Sequence, residues 1–221
     1  MLSWPAVSWT VVVPVKLLAL AKTRLSELSD ADRRAMALAM AADTVTAAVV
    51  CPPVADVIVV SDDPDVRAEA EAAGASVIAD LPGAGLNEAL AAGAEHASAS
   101  GSGRGLAALT ADLPAMSASE LATALTVASR ANQAFVADAA GSGTTLYTAM
   151  PGTPFRPRFG PLSRLRHREA GAVELDLRDI PGLRRDVDTL ADLREAARIG
   201  LGPRTLSVSE AIEVRCSQGA S

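Results

Sequence analysis

Aromatic side chains are scarce. Two Trp, one Tyr and three Phe make up 3% of the 221 residues. A chain so poor in rings has few platforms on which bases could stack, which argues against a nucleic-acid partner. Positive charge is also short: 20 Lys and Arg face 26 Asp and Glu, a net charge of −6 and the wrong sign for a general polyanion binder. Only two cysteines occur, Cys51 and Cys216, far apart and without metal-ligand spacing. Free thiols in a reducing cytoplasm are expected, and no zinc site. Long apolar runs are missing too. The stretch from Val11 to Ala21 is short and interrupted by Lys16, and no basic leader precedes it, so neither a membrane span nor a signal peptide is expected. No linker rich in Pro, Gly and Ser divides two cores and no repeat is visible. The expectation is one domain over residues 10–203, with an N-terminal extension over 1–9 and a C-terminal tail over 204–221 that is an edge strand or partly ordered.

What is present is aliphatic. Hydrophobic residues reach 49%, alanine supplying much of that, so the core should be finely packed. Thr10 to Val15 reads as a first buried strand, followed by a helix from Ser29-Asp30 to about Val50. Val54 to Ser61 is a second strand, Asp62-Asp63-Pro64 opens a helix that Gly74 closes, and Ala75 to Ala79 is a short third strand. The run Leu106-Ala107-Ala108-Leu109-Thr110-Ala111-Asp112-Leu113-Pro114 reads as a central strand of a parallel sheet, ending in the carboxylate of Asp112. Ser117 caps the next helix, and Gln133 to Ala137 is another strand. This alternation predicts an α/β fold in three layers, with ligands bound at the carboxyl edge of the sheet.

Several stretches carry chemistry, each with a plainer reading beside it. The segment after the first strand lacks the glycines of a phosphate loop and offers Lys16, Lys22 and Arg24 instead. These cations could neutralise a triphosphate or be solvated lysines and arginine on a helix. Gly83 and Gly85 permit close approach of a nucleoside, and Asn87 could read it through its amide or cap a helix. The turn Asp138 to Thr145 pairs glycines with Thr144 and Thr145, whose hydroxyls could hold an oxyanion. From Phe155 to Glu169 five arginines and His167 crowd together, which suits a small phosphorylated ligand; a solvated helix face is the alternative. Asp186-Val187-Asp188 follows a short strand and precedes a helix that Thr189 can cap. A carboxylate pair there is what a magnesium-dependent phosphoryl site needs opposite Asp112.

In their order and spacing, Pro14-Val15-Lys16, Ala21-Lys22-Thr23-Arg24-Leu25, Gly85-Leu86-Asn87, Ala111-Asp112-Leu113-Pro114, Gly143-Thr144-Thr145, Phe159-Gly160-Pro161 with Ser163 and His167, and Asp186-Val187-Asp188-Thr189 resemble the CofC/FbiD guanylyltransferases. The resemblance runs from about Val11 to Gly202. That family makes the phosphodiester precursor of the deazaflavin coenzyme F-420. The resemblance implies a glycosyltransferase-A-like nucleotidyltransferase sandwich with a mostly parallel mixed sheet. It implies GTP as donor and phosphoenolpyruvate, 2-phospho-L-lactate or 3-phosphoglycerate as acceptor, with phosphoenolpyruvate favoured. Asp112, Asp186 and Asp188 would hold magnesium and carry catalysis. Thr145, Gly160 and Ser163 would bind the acceptor, and Lys16, Lys22, Arg24 and Asn87 the GTP. Leu190 departs from the proline that related enzymes often carry after Asp-Thr. Two rivals stay open: another nucleotidyltransferase of this fold, acting on a sugar phosphate or a molybdenum-cofactor precursor, and a regulatory module that binds nucleotide without turnover. A homodimer is left open as well.

Overall fold

The structure, a computed structural model, describes residues 7–16, 18, 25, 27–81, 83, 85–99, 101 and 103–219, with side chains as far as Arg215. Lys22 and Arg24 lie outside these residues. Among the described residues, seven strands form one sheet: β1 (Trp9–Pro14), β2 (Val54–Val60), β3 (Ser76–Ile78), β4 (Gly105–Leu109), β5 (Gln133–Ala137), β6 (Thr144–Ala149) and β7 (Val173–Glu174). Their order is β3-β2-β1-β4-β6-β5-β7. Only β6 runs against its neighbours, β4 and β5.

The helices are α1 (Asp30–Val49), α2 (Pro64–Ala73), α3 (Leu86–Ala99), α4 (Ala118–Ala128), α5 (Ser163–Glu169), α6 (Pro181–Arg184), α7 (Leu190–Ile199) and α8 (Pro203–Gly219). Alternation along each strand divides the core. Val11, Val13, Val57, Val59 and Leu109 pack with α1, α2 and α4 on one face. Val12, Val60, Ala108, Phe135 and Tyr147 pack with α3 and the α5 region on the other. At Gly93 of α3 an added Cβ would come within 2.3 Å of Val12 Cγ1. The missing side chain lets α3 lie close on the sheet and brings its first turn down to the carboxyl edge. None of the described helices is long and apolar enough to cross a membrane.

Local chemistry sets the boundaries. Ser29 caps α1 by accepting from Asp32 N, Asp63 caps α2 with Pro64 behind it, and Gly74 closes α2 at φ +97°. Two expectations are corrected. The central strand stops at Leu109, so Asp112 lies in the loop beyond it. The apolar pattern continues, but Thr44 of α1 meets the backbone there, its hydroxyl accepting from Leu113 N at 3.1 Å and lying 3.3 Å from Ala111 O while it donates to Met40 O at 2.8 Å. The tail is a helix, α8, not an edge strand. Its free amides at Arg204 and Thr205 are met by the Asp43 carboxylate at 3.2 and 2.8 Å, a cap supplied from the far end of the chain.

Candidate active site

Loops from the carboxyl edge converge on one region. The Asp112 loop is fixed from several sides. Thr44 grips the residues flanking Asp112, and Asp112 O accepts from Val187 N at 3.1 Å, which joins it to the loop carrying Asp186 and Asp188. That loop follows helix α6 rather than a strand, correcting the sequence expectation. Helix α6 is bolted down in turn: Gly182 N donates to Glu120 Oε1 at 2.8 Å, Ala139 N to Arg184 O at 2.7 Å, and Arg184 Nε to Ala137 O at 3.1 Å. A Cβ on Gly182 would sit 2.1 Å from Ala115 O, so only glycine allows this approach.

The carboxylates here repel one another. Burial, then the charges of Asp112, Asp138 and Asp188, push Asp186 up to about 7. Asp138 is held in the β5–β6 turn, where its two oxygens accept from Ser142 N at 2.9 Å and Gly143 N at 2.8 Å. The N-cap residue of α7 is Thr189, one position after Asp188. It forms a reciprocal box with Asp192, and α7 begins at Leu190 without a proline. Among the described residues, no three Asp, Glu, His or Cys side chains are gathered closely enough to hold an ion by themselves.

Beside this acidic group lies a cleft of about 280 Å³ lined by Lys16, Leu18, Leu86, Thr110 and Asp112 among others. Lys16 reaches Asp80 at 2.6 Å, so part of its charge is matched within the protein. Leu18 N, in the same segment, donates to the buried Asp63 carboxylate at 3.2 Å.

The other half of the edge is built on a break in alternation. Val136 pairs with Leu146 but Ala137 with Thr144, so β6 holds one extra residue, a bulge at Thr145. Thr144 thereby shares a face with Tyr147: its hydroxyl lies 3.0 Å from His167 Nδ1, and the His167 ring stacks on Tyr147 at 4.8 Å. His167 is fully buried, and burial holds its pKa down at about 4. Its Nε2 accepts from Arg158 N at 2.8 Å, so the ring is neutral with its proton on Nδ1.

The loop that carries Gly160 is pinned from three elements. His167 of α5 holds Arg158, and the Tyr147 hydroxyl of β6 meets the Arg156 backbone. Asn87 of α3 takes Phe159 from both sides, Oδ1 accepting from its N at 2.8 Å and Nδ2 donating to its O at 3.1 Å. Asn87 therefore uses its amide on the Gly160 loop, where the sequence reading gave it to the nucleoside. Gly160 is left-handed at φ +115° and Leu162 at φ +58°, an uncommon strain for a branched residue, just before the buried Ser163. Helix α5 rests on the Asp138–Thr144 turn through Arg164 N to Ser142 O at 3.3 Å. Ser163 and Gly160 thus lie in the segment seated on the turn that leads to Thr145. Of the arginines, Arg164 and Arg168 are joined to Glu174, while Arg156, Arg158 and Arg166 are exposed.

Residues 9–212 match the family described as guanylyl transferase CofC like. The chain belongs to that family. It is 53% identical over 202 residues to a phosphoenolpyruvate guanylyltransferase of Thermomonospora curvata, covering 91% of this chain and 89% of the relative. A phosphoenolpyruvate guanylyltransferase of Streptomyces coelicolor is 54% identical over 202 residues, with 91% and 95% covered. Among solved structures, a protein described as a nucleotide-diphospho-sugar transferase from Desulfovibrio desulfuricans superposes with a TM-score of 0.71 at 18% identity, covering 95% of this chain and 97% of that one. A nucleotidyl transferase from Methanothermobacter has a TM-score of 0.57 at 17% identity, with 87% and 97% covered. The shared fold is that of nucleotidyltransferases.

In this CofC-like chain the sequence reading missed Asp138 as a neighbour of Asp186, and His167 as the post that supports the Gly160 loop. A signal for Asp138 was there: an aspartate at the end of a strand before Gly141-Ser142-Gly143 is placed to accept turn amides, as its carboxylate does from Ser142 and Gly143. For His167 there was none, because its partners lie on three other elements.

Proposed function

We propose that the chain is a phosphoenolpyruvate guanylyltransferase acting on GTP. The observation that carries the reading is the identity of about half of its residues, over nearly the whole chain, with relatives of that name. The edge geometry supports it: an acidic group and a cleft on one side, and a turn rich in hydroxyls and amides on the other. In the reaction a phosphate oxygen of the acceptor attacks the α-phosphorus of GTP. A new P–O bond forms, the bond to the β-phosphate oxygen breaks, and pyrophosphate leaves with the electron pair. The attacking phosphate is already ionised, so no side chain has to remove a proton. What this chain supplies is positioning and charge.

Thr145, Ser163 and the Gly160 amide bind the acceptor, on a loop that Asn87, Tyr147 and His167 hold in place. Lys16 lies at the cleft and faces the GTP phosphates, with Lys22 and Arg24 assigned to the same task. The acidic group fits magnesium. Its donors are all carboxylates, and the mutual repulsion that raises Asp186 is the kind a hard divalent cation relieves. Magnesium usually takes one or two carboxylates together with water and substrate phosphates, so a closed cage of three is not required. Asp112, Asp186 and Asp188 would hold it, and when bound it would offset charge on the phosphates. The product would feed coenzyme F-420 biosynthesis, in the cytoplasm.

Pyrophosphate release tests the reading, measured with GTP and each of phosphoenolpyruvate, 2-phospho-L-lactate and 3-phosphoglycerate, followed by mass spectrometry of the product. The guanylylated enolpyruvate should form fastest. A product with only one of the other acids would replace the acceptor, and none at all would end the reading.

A further inference from the structure

Thr110 and Thr145 stand opposite each other where β4 meets β6. Thr110 N donates to Thr145 O at 3.0 Å, one step beyond the pair Leu109–Leu146. Both leucines point to the α1 and α4 face. Thr145 lies at the bulge beside Leu146 and Thr110 just past the end of β4, so the backbone bond sets the two residues side by side at the strand ends.

Both hydroxyl oxygens are buried, and neither has a hydrogen-bond partner among the described residues. By contrast Thr44, Thr46, Thr126, Thr148 and Thr189 make hydroxyl bonds. Among the described residues Thr205 is the one other threonine whose buried hydroxyl has no partner, far along the chain. Burying a hydroxyl without a partner gives up its hydration for nothing in return. Two such hydroxyls, on residues joined by a backbone bond at the carboxyl edge, make a site that a ligand would complete. Thr110 also lines the cleft together with Lys16 and Asp112. It therefore lies between the nucleotide cleft and the acceptor residue Thr145.

We propose that Thr110 is a second acceptor-binding hydroxyl. It donates a hydrogen bond to the phosphate of the phosphorylated acid, while Thr145 donates from the opposite strand. The assignment to phosphate follows from position. The acceptor's phosphate is the group that must reach the nucleotide, and Thr110 is the one of the two threonines that also borders the cleft. The proposal rests on the guanylyl-transfer reading above.

The test uses the full-length enzyme and two variants. Thr110→Val keeps the shape and removes the hydroxyl; Thr110→Ser keeps the hydroxyl. The Val variant should lose at least tenfold in kcat/KM for phosphoenolpyruvate, with KM for GTP within twofold of wild type. The Ser variant should recover most of that loss. Without substrates, the Val variant should melt at or above the wild-type temperature, because it sheds a hydroxyl the fold does not use. Thr110→Val combined with Thr145→Val should lose less than the product of the single losses, since one phosphate meets both. A Val variant with unchanged kcat/KM would overturn the proposal. So would a Ser variant as impaired as the Val variant, or a Val variant that melts earlier. A wild-type enzyme that makes no product would defeat the functional reading instead, and the melting comparison would still report on the hydroxyl.

Discussion

The two halves of the site are built on opposite principles. Around the Gly160 loop the backbone is held by neutral side chains: Asn87, Tyr147 and His167 come from three elements to hold residues 156–159, and Asp138 closes the turn beneath. Around Asp112, Asp186 and Asp188 the backbone is equally fixed, but the side chains work against each other, and Asp186 is driven up to about 7. The first half is stabilised by its own contacts. The second carries charge that the fold alone does not neutralise. A small rigid acid needs a shaped receptacle ready before it arrives. A cation is drawn to concentrated negative potential, and once there it would offset the charge that polyphosphate brings.

The contrast can be broken most severely at the acidic half. Asp112→Asn and Asp186→Asn should each lower turnover on the order of 10²–10³-fold, while the melting temperature in the absence of metal stays level or rises. The pH dependence follows. A carboxyl raised when folded holds its proton to higher pH than in the unfolded chain, so its burden on stability grows as pH rises from about 4 to about 7. Asp186→Asn should flatten that decline in chelator-treated protein. A variant that melts earlier at pH 7 would mean that these carboxylates support the fold.

His167 should give the next largest effect, with the opposite sign. Its folded pKa of about 4 lies below the ordinary value of 6.5, so the unfolded chain binds the proton first. Stability should fall as pH drops from about 6.5 to about 4, by about 3 kcal/mol in all. His167→Gln should remove most of that slope. Urea titrations at several pH values would measure it, and an unchanged slope would place the titration elsewhere.

Asn87→Ala separates the halves directly. Losing both bonds to Phe159 should cost about 1–3 kcal/mol of stability and raise KM for the acceptor more than KM for GTP. Steady-state kinetics with each substrate varied would decide; the reverse ranking would return Asn87 to the nucleoside. The smallest effect belongs to Thr189→Ala, which removes the α7 cap. It should cost about 0.5–2 kcal/mol and leave turnover within a few fold. Asp188→Ala should do the reverse, sparing stability and stopping turnover. Equal losses of stability in the two variants would make Asp188 part of the cap.

Much of the fold was legible because local chemistry punctuates it. Ser29, Asp63, Gly74 and Ser117 mark helix ends where the structure has them, and the β-branched runs mark β1 and β2. The sequence misled where distant groups decide. Leu106 to Pro114 keeps an apolar rhythm, yet the strand stops at Leu109 and a hydroxyl on α1 meets the backbone beyond it. Helix α8 depends on a carboxylate 161 positions earlier. The motif residues of the site were readable by type, but the contacts that hold them were not. Asn87 meets Phe159 across 72 positions, and nothing near either residue announces it.

The bond from Val187 N to Asp112 O has a consequence for how the protein is made. It joins a segment synthesised near the middle of the chain to one synthesised close to its end. A nascent chain that stops short of Val187 already holds all seven strands but lacks this bond and the loop that carries Asp186 and Asp188. The acidic group is completed only when that late segment is joined to the Asp112 loop.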